Sequence, residues 1–302
     1  FLFFALIIDL LSPFIISLVV LSLQPLTVAW RWFVIEKAKA KRRSLKDLMV
    51  IGITGSYGKT SVKEFLATIL SEKFRVAKTT EHQNSEIGIA RAILNLKETD
   101  QVFICEMAAY NKGRIKFVAG ISQPQIGIIS GVNQQHLSLF GSMENLLSAE
   151  GGNELLTALP IDGQAILNND SSLLLANAKT WPVHPALLWC SAKEKTDLWA
   201  ENIRAEKDRL CFNVLSRDND SAEFDVKLVG QSNVENVLLA AAVAKRLGMT
   251  LAEIALAAEK IRPEQGSMKL SRGNGGPASA KATADKADVI DSTYSDNPDG
   301  VL

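Results

Sequence analysis

The chain alternates short apolar runs with segments in which apolar residues recur every three or four positions, from residue 48 to about residue 159. Short apolar runs are typical of buried strands, and the longer spacing is typical of amphipathic helices. The apolar runs predict strands over 49–53, 101–106 and 125–130. The periodic segments predict helices over 59–71, 86–94 and 144–156. This alternation predicts an α/β fold, in which helices flank a mostly parallel sheet.

The N-terminal residues are almost entirely apolar. Residues 14–35 are long enough to cross a bilayer, and they contain Trp30 and Trp32, aromatic residues of the kind preferred at a membrane interface. Basic side chains follow in residues 37–47, and by the positive-inside rule they place the rest of the chain in the cytoplasm. We therefore expect 1–36 to be a membrane anchor in contact with lipid, followed by a basic juxtamembrane linker.

Other arrangements of the N-terminal segment remain open. Residues 1–11 form a second apolar run before Pro13, which would make the anchor a helical hairpin rather than one transmembrane helix. Gln24, Pro25 and Arg31 interrupt the longer run, so a helix lying in the membrane interface is a further alternative. A signal peptide would carry its basic residues before the apolar run, and a buried core helix would not need basic residues after it.

The second half of the chain has a different pattern. Residues 165–224 are rich in strand formers and turns, and 234–247 and 251–261 then have the pattern of helices. We assign 48–265 to one central domain. The remaining 266–302 are interpreted as a linker and the start of a further domain.

A low-complexity segment interrupts that linker. Residues 273–288 have almost no large apolar side chain, which predicts a flexible surface insertion or, alternatively, an alanine-rich helix. Because the chain begins at Phe1 and ends shortly after this segment, we expect both ends to be cut from a longer protein.

Composition and charge exclude some classes of function. The 302 residues are 47% hydrophobic and 22% charged, with 33 basic and 33 acidic side chains. A net charge of zero gives no overall field that attracts nucleic acid, so no nucleic-acid partner is expected. The three cysteines are far apart and form no Cys-x-x-Cys pair, which argues against a disulfide framework or a zinc ribbon.

The chemistry is concentrated in a glycine-rich loop between the first predicted strand and the first helix of the central domain. Gly55 and Gly58 can turn backbone amides toward a phosphate. The Lys59 ammonium can reach terminal phosphates, and the Thr60 hydroxyl can hold Mg²⁺. The loop therefore predicts a site for a nucleoside triphosphate with Mg²⁺ in domain 48–265. The predicted nucleotide-binding residues are Thr54, Gly55, Ser56, Tyr57, Gly58, Lys59, Thr60 and Ser61.

Two further polar groups follow predicted strands. Glu106 ends the second strand, and His136 comes shortly after the third. Because the carboxyl ends of parallel strands meet at one edge of a sheet, both are expected near the loop. A carboxylate there is a natural Mg²⁺ ligand, whereas a histidine is a less usual one. Glu106 and His136 are candidate catalytic residues beside Lys59. A solvated carboxylate and a hydrogen-bonded loop histidine are the alternatives.

Seven motifs in order resemble those of the Mur ligase family, most of all its members that add D-alanyl-D-alanine to a UDP-linked muramoyl tripeptide. They are GITGSYGKTS at 52–61, NSEIG at 84–88, EMAA at 106–109, QHLSLFGS at 135–142, LNND at 167–170, NVENVLLA at 233–240 and DSTYSDNP at 291–298. The resemblance identifies 48–265 with the family's central ATP-binding domain and 291–298 with the opening of its C-terminal ligase domain.

The resemblance implies ATP-dependent amide bond formation in peptidoglycan precursor synthesis. The γ-phosphate of ATP moves to a substrate carboxylate, the amine of an amino acid or of D-alanyl-D-alanine attacks the acyl phosphate, and phosphate leaves from a tetrahedral intermediate. The implied partners are a UDP-linked or lipid-linked muramoyl peptide and an amino acid or dipeptide. The physical logic agrees, because the transferred phosphoryl group needs cations such as Lys59 and Mg²⁺ around its oxygens.

The resemblance also implies roles by position. Thr60 and Glu106 would hold one Mg²⁺, and His136 would join Glu106 or a second metal site. Asn236 lies where the family contacts adenine. The loop that faces the sugar-peptide substrate corresponds to Asn84 and Ser85.

One departure from the family concerns the metal site. Family members commonly carry a lysine, often carbamylated as a metal ligand, in the helix after the histidine motif, but residues 117–178 contain no lysine. Glu150 or Glu154 could supply the negative charge directly, because a carbamate and a carboxylate are similar oxygen ligands. The adjacent Gly151 and Gly152 would weaken this helix.

Other departures keep two alternative functions open. Ser232, Ser267 and Ser292 replace residues usual in the family, and the apolar segment stands where the UDP-binding domain is expected. One alternative is a ligase resembling folylpolyglutamate or cyanophycin synthetase, which uses the same ATPase core. The other is a non-catalytic membrane scaffold that retains nucleotide binding.

Overall fold

The computed structural model describes residues 2–80, 83–181, 186–263, 269–272 and 288–291. The strands in these residues are β1 (Met49–Thr54), β2 (Val76–Lys78), β3 (Val102–Glu106), β4 (Ile126–Ile129), β5 (Gln164–Asn168), β6 (Ala186–Ser191), β7 (Leu198–Ala205), β8 (Leu210–Ser216), β9 (Ser221–Val226), β10 (Lys269–Arg272) and β11 (Asp288–Asp291). Nine of them form one sheet in the order β2-β3-β1-β4-β5-β6-β7-β8-β9. All pairs from β2 to β7 are parallel, and β8 and β9 are added antiparallel. The prediction of a mostly parallel α/β sheet is confirmed.

Helices cover both faces of this sheet. They are α1 (Leu2–Ser44), α2 (Lys59–Leu70), α3 (Glu86–Leu94), α4 (Arg114–Ser122), α5 (Leu137–Phe140), α6 (Met143–Ala149), α7 (Asn153–Ala158), α8 (Ser172–Ala178), α9 (Ser232–Arg246) and α10 (Leu251–Ala258). The predicted helices 59–71, 86–94, 234–247 and 251–261 correspond to α2, α3, α9 and α10.

The predicted helix 144–156 is wrong as one element, because the chain breaks it into α6 and α7. Gly152 has φ +94°, a conformation that suits glycine, and it precedes the first residue of α7. A Cβ on Gly151 would lie 2.3 Å from the carbonyl oxygen of Leu147. Both glycines are therefore needed for the tight turn that separates the two helices.

Two apolar layers form the core, one on each face of the sheet. Along β1, Ile51 and Ile53 point into the layer covered by α2, α9 and α10, whereas Val50 points into the layer covered by α3, α4 and α7. This alternation follows from the pleat of a strand, whose successive side chains face opposite sides.

A pair of glycines in neighbouring strands brings α7 close to the sheet. Gly52 of β1 lies beside Gly127 of β4 in the strand register. A Cβ on either glycine would come within 3.3 Å of the Leu155 side chain. Gly52 therefore makes room for packing, and the phosphate-loop geometry begins only at Gly55.

The apolar N-terminal segment is a single helix. α1 has 43 residues and continues through Pro13 and Pro25, so the hairpin alternative is wrong. The side chains of residues 13–33 are all exposed. Within the described part of the chain, α1 is the one helix long and apolar enough to cross a membrane, a property that core helices and signal sequences share.

The C-terminal quarter of α1 belongs to the folded domain. Val34, Ile35 and Ala38 are buried in the same apolar layer as α3 and α4. The Nζ of Lys41 donates to the carbonyl of Leu94 at 2.8 Å. The basic segment 37–47 thus includes the last turns of a docked helix.

Arg42 fastens this helix end to the domain. Its guanidinium is buried and donates from Nε to the carbonyl of Ser122 at 2.9 Å and from Nη1 to that of Leu45 at 2.9 Å. Nη2 donates to the carbonyls of Leu48 and Gln123. One side chain therefore joins the end of α1, the start of β1 and the end of α4.

Several predictions made from the C-terminal sequence lie outside the described residues. These are the low-complexity residues 273–287, Ser267, and residues 292–298 of the last motif, which include Ser292. Residue 288 is described, and it pairs with Arg272 in the β10–β11 ladder.

We predict that Arg42→Met lowers the free energy of unfolding by about 2 kcal/mol, because four carbonyl oxygens lose a charged donor inside the protein. Urea unfolding in mild detergent, followed by tryptophan fluorescence, measures the change. The matched control is Arg43→Met, whose side chain is exposed and which should stay close to the unaltered protein. Equal stability of the two variants would contradict the role assigned to Arg42.

Candidate active site

The loop between β1 and α2 turns sharply at two glycines. β1 ends at Thr54, whose side chain is buried. Gly55 and Gly58 have φ of +138° and +74°, values that a residue with a Cβ rarely adopts. The Ser56 amide donates to the carbonyl of Gly131 at 2.8 Å, which holds the loop against the chain that follows β4. The amino end of α2 adjoins this loop, where backbone amides and the helix dipole favour an anion.

Lys59, the first residue of α2, folds back over the loop. Its Nζ donates to the carbonyl of Gly55 at 2.6 Å and to that of Ser56 at 3.4 Å. Burial lowers the pKa of Lys59, and the carboxylates of Glu150 and Glu106 act in the opposite direction. The ammonium group is therefore held beside the loop, where a bound phosphate could replace the carbonyls as its partner.

Two of the other predicted nucleotide-binding residues, Tyr57 and Asn236, pack closely against glycines at the site. The Tyr57 ring lies against Gly131, where a Cβ would be 2.3 Å from Tyr57 Cζ. Asn236 of α9 lies against Gly58, where a Cβ would be 2.5 Å from Asn236 Oδ1. Ser61 lies in the first turn of α2. The adenine contact of Asn236 stays a prediction.

Glu106 lies beside the loop at the end of β3. Its Oε1 accepts a hydrogen bond from Thr60 Oγ1 at 3.1 Å. Its Oε2 lies 2.9 Å from the Nζ of Lys63, a buried side chain one turn farther along α2. The pairing of β1 with β3 places Ile53 beside Glu106, so the strand register brings this carboxylate to the loop.

Glu150 reaches the loop from the other side. It is the residue at which α6 ends, and its side chain is 4% exposed. Its Oε2 accepts a hydrogen bond from Ser56 Oγ at 2.6 Å, and its Oε1 lies 2.9 Å from His136 Nδ1. Ser56 Oγ also accepts a hydrogen bond from the Asn133 amide at 3.2 Å. Glu150, Ser56 and His136 therefore form one connected group.

The structure separates the two carboxylates that the sequence left as alternatives. Glu154 accepts hydrogen bonds from the amides of Gly113 and Lys116 and from Ser148 Oγ. It therefore caps the amino end of α4, whereas Glu150 contacts the loop. The tight turn at Gly151 and Gly152 lies between them and directs them to different places.

The structure brings His136 to Glu150 and not to Glu106. Its ring is about one-third exposed at 36%, and within the described residues no hydrogen bond joins it to Glu106. The predicted sharing of a metal by His136 and Glu106 thus stays a prediction.

Asn84 and Ser85 precede α3 near the end of β3. Ser85 caps α3 and accepts a hydrogen bond from the Gly88 amide. The carbonyl of Asn84 accepts one from the Ala108 amide at 3.1 Å, two residues beyond Glu106. They lie at the same edge of the sheet as the loop, and their contact with substrate stays a prediction.

The residues present fit Mg²⁺ held together with a nucleotide. Among the described residues, no group of three or more His, Cys, Asp or Glu side chains is arranged as a metal cage. Mg²⁺ usually takes one or two protein oxygens and completes its shell with phosphates and waters. Thr60 Oγ1 and Glu106 Oε1 supply two such oxygens beside the loop.

Lys63 was not among the residues predicted for the site. It follows Thr60 by three residues, so a helix starting at Lys59 places both on one face. That spacing was the available signal, but only the packing of α2 shows that this face turns toward Glu106.

Comparison with known proteins finds similar ligases. The UDP-N-acetylmuramoyl-tripeptide–D-alanyl-D-alanine ligase of Synechocystis is 34% identical over 200 residues, covering 66% of this chain and 41% of that protein. The ligase of the same name from Mycobacterium bovis is 31% identical over 256 residues, covering 84% and 47%. A crystal structure of MurF from Acinetobacter baumannii has a TM-score of 0.74 at 25% identity, covering 89% of this chain and 55% of that one. The chain thus spans about half the length of these relatives.

A family model describes the central part of the chain. The Mur ligase middle domain matches residues 53–244, which is more than half of the sequence. The match includes the glycine-rich loop and extends into α9, so it contains every group described above at this edge of the sheet. The chain belongs to the Mur ligase family.

Proposed function

We propose that this protein is an ATP-dependent ligase of peptidoglycan precursor synthesis. The γ-phosphate of ATP moves to the carboxylate of a muramoyl peptide, which gives an acyl phosphate and ADP. The amine of an amino acid or of D-alanyl-D-alanine then attacks the acyl phosphate, and inorganic phosphate leaves as the amide bond forms. The observation that carries this proposal is the glycine-rich loop with Lys59 and the Thr60–Glu106 pair at one edge of a Mur ligase sheet.

The loop and α2 supply the phosphate site. Backbone amides at the start of α2 bind the phosphates of ATP. The Lys59 ammonium exchanges its contact with the Gly55 carbonyl for the terminal phosphate, where it offsets negative charge in the transition state. Thr60 and Glu106 would hold Mg²⁺, which neutralises charge on the transferred group when bound.

Glu150 takes the place of the missing lysine in this proposal. Its buried carboxylate holds Ser56 in the loop and His136 beside it, so it orients both groups. A carboxylate carries its charge without a carbamylation step. The site would therefore need no bound carbon dioxide to be complete.

We also propose that α1 anchors the protein in a membrane, with the sheet on the cytoplasmic side. The exposed apolar side chains of residues 13–33 support this, together with Trp30, Trp32 and the basic residues that follow them. Such an anchor would bring a lipid-linked muramoyl peptide within reach as readily as a UDP-linked one.

The first test measures phosphate release by the full-length protein with ATP, Mg²⁺, UDP-N-acetylmuramoyl-tripeptide and D-alanyl-D-alanine. We expect release that needs both acceptor substrates. Lys59→Ala should lower the rate at least about 100-fold, because it removes a cation from the transferred phosphate. ATP binding without release, with this and every other amine offered, would reject the ligase in favour of a nucleotide-binding scaffold.

The role of Glu150 predicts a difference between two neighbouring buried carboxylates. Glu150→Gln should lower kcat/KM for ATP by about 10- to 100-fold with little change in Tm, because it weakens the hydrogen bonds that orient Ser56 and His136 beside the loop. Glu154→Gln should instead lower Tm and retain kcat/KM, because Glu154 caps α4. The assignment is wrong if the two variants have the same profile.

The membrane proposal predicts that the protein sediments with membranes and resists alkaline extraction, which releases helices that lie in the interface. The double variant Leu18→Asp and Leu21→Asp should move to the soluble fraction, because each aspartate costs about 3 kcal/mol in a bilayer. The control changes exposed apolar residues outside α1, Ile161→Asp and Leu256→Asp. A soluble unaltered protein would reject the anchor.

A further inference from the structure

α2 buries a lysine one turn beyond the phosphate loop. The Lys63 side chain is 1% exposed and is among the largest fully buried side chains of the described residues. An ammonium group loses its hydration when buried, and an apolar side chain of similar size would fill the position without that loss. Packing alone therefore does not explain a lysine here.

The partners of Lys63 are carboxylates. Its Nζ lies 2.9 Å from Glu106 Oε2 and 3.6 Å from Glu64 Oε1. Glu64 in turn pairs with Lys78 of β2. Among the described residues, Lys63 thus makes its short contact to Glu106, the carboxylate that also accepts a hydrogen bond from Thr60.

The two oxygens of Glu106 have different partners. Oε2 is held by Lys63, and Oε1 accepts from Thr60 Oγ1 at 3.1 Å. The Glu106 amide donates to Thr79 Oγ1 at 3.1 Å, so the backbone of this residue is held as well. The carboxylate therefore has one orientation, in which Oε1 faces Thr60.

We propose that Lys63 is a positioning residue that keeps Glu106 Oε1 directed at Thr60, where the cation accompanying the nucleotide would be held. The inference rests on the proposed function, because it concerns the same cation site. Lys63 acts through Glu106 and does not touch the nucleotide or the cation.

A role in charge balance alone predicts the opposite result. If Lys63 only neutralised Glu106, its removal would take away a positive charge near the site and tighten cation binding. If it positions Glu106, its removal frees the carboxylate to rotate and weakens cation binding. The sign of the change in cation affinity distinguishes the two roles.

The experiment titrates Mn²⁺ into the full-length protein with a non-hydrolysable ATP analogue and follows binding by electron paramagnetic resonance. We expect Lys63→Met to weaken Mn²⁺ binding by about 10- to 100-fold, the range found when groups that orient metal ligands are removed. Binding of the analogue without metal should be unchanged. Lys78→Met, which alters the same ion-pair network without touching Glu106, is the matched control and should bind Mn²⁺ normally.

A second comparison does not depend on the folding of Lys63→Met. In a Glu106→Gln background, adding Lys63→Met should cause no further loss of Mn²⁺ affinity, because Lys63 acts through Glu106. The double variant leaves no unpaired buried charge at this pair. A further change in affinity in that background, or unchanged or tighter binding by Lys63→Met alone, would overturn the inference. Failure of the unaltered protein to bind Mn²⁺ with the analogue would instead reject the proposed function.

Discussion

The position of β1 between β3 and β4 is the constraint on which the site depends. The Met107 amide donates to the carbonyl of Ile53, and the Ser130 amide donates to that of Thr54. These two hydrogen bonds align the ends of three buried strands at one height. A slip of one residue in either ladder would turn Glu106 or Ser130 to the opposite face of the sheet. Backbone pairing alone thus fixes the relative positions of the loop, Glu106 and Ser130.

Buried charges around the loop come in compensating groups. Glu106 approaches from the β3 side and Glu150 from the chain that follows β4, so the loop lies between two carboxylates. Each has its own donors, as buried ions require. Lys59 lies over the loop, and both carboxylates act to raise the pKa of its ammonium group. This arrangement gives the site a fixed pattern of positive and negative groups before any ligand binds.

Much of this architecture could be predicted from the sequence, since the apolar runs at 49–53, 101–106 and 125–130 correspond to β1, β3 and β4, which are buried on both faces. The loop and Glu106 were equally predictable, because the loop directly follows the first of those strands and Glu106 ends the second. The choice between Glu150 and Glu154 was not, since it depends on the direction in which the chain leaves the turn at Gly152. The single course of α1 through its two prolines was also hidden, because a proline-interrupted apolar run is compatible with either one helix or two.

The docking of α1 has a consequence for how the domain could move relative to a membrane. Its side chains are exposed over residues 13–33, and the first buried ones, Val34 and Ile35, follow directly in the same helix, so no flexible tether separates the two parts. With a rise of about 1.5 Å per residue, the exposed part begins within a few ångströms of the domain. A bilayer that took up this part would hold the strand ends at one height and one tilt. The domain would then reach its substrates by lateral diffusion in the plane of the membrane. It would not reorient relative to the membrane, as a domain on a flexible linker does.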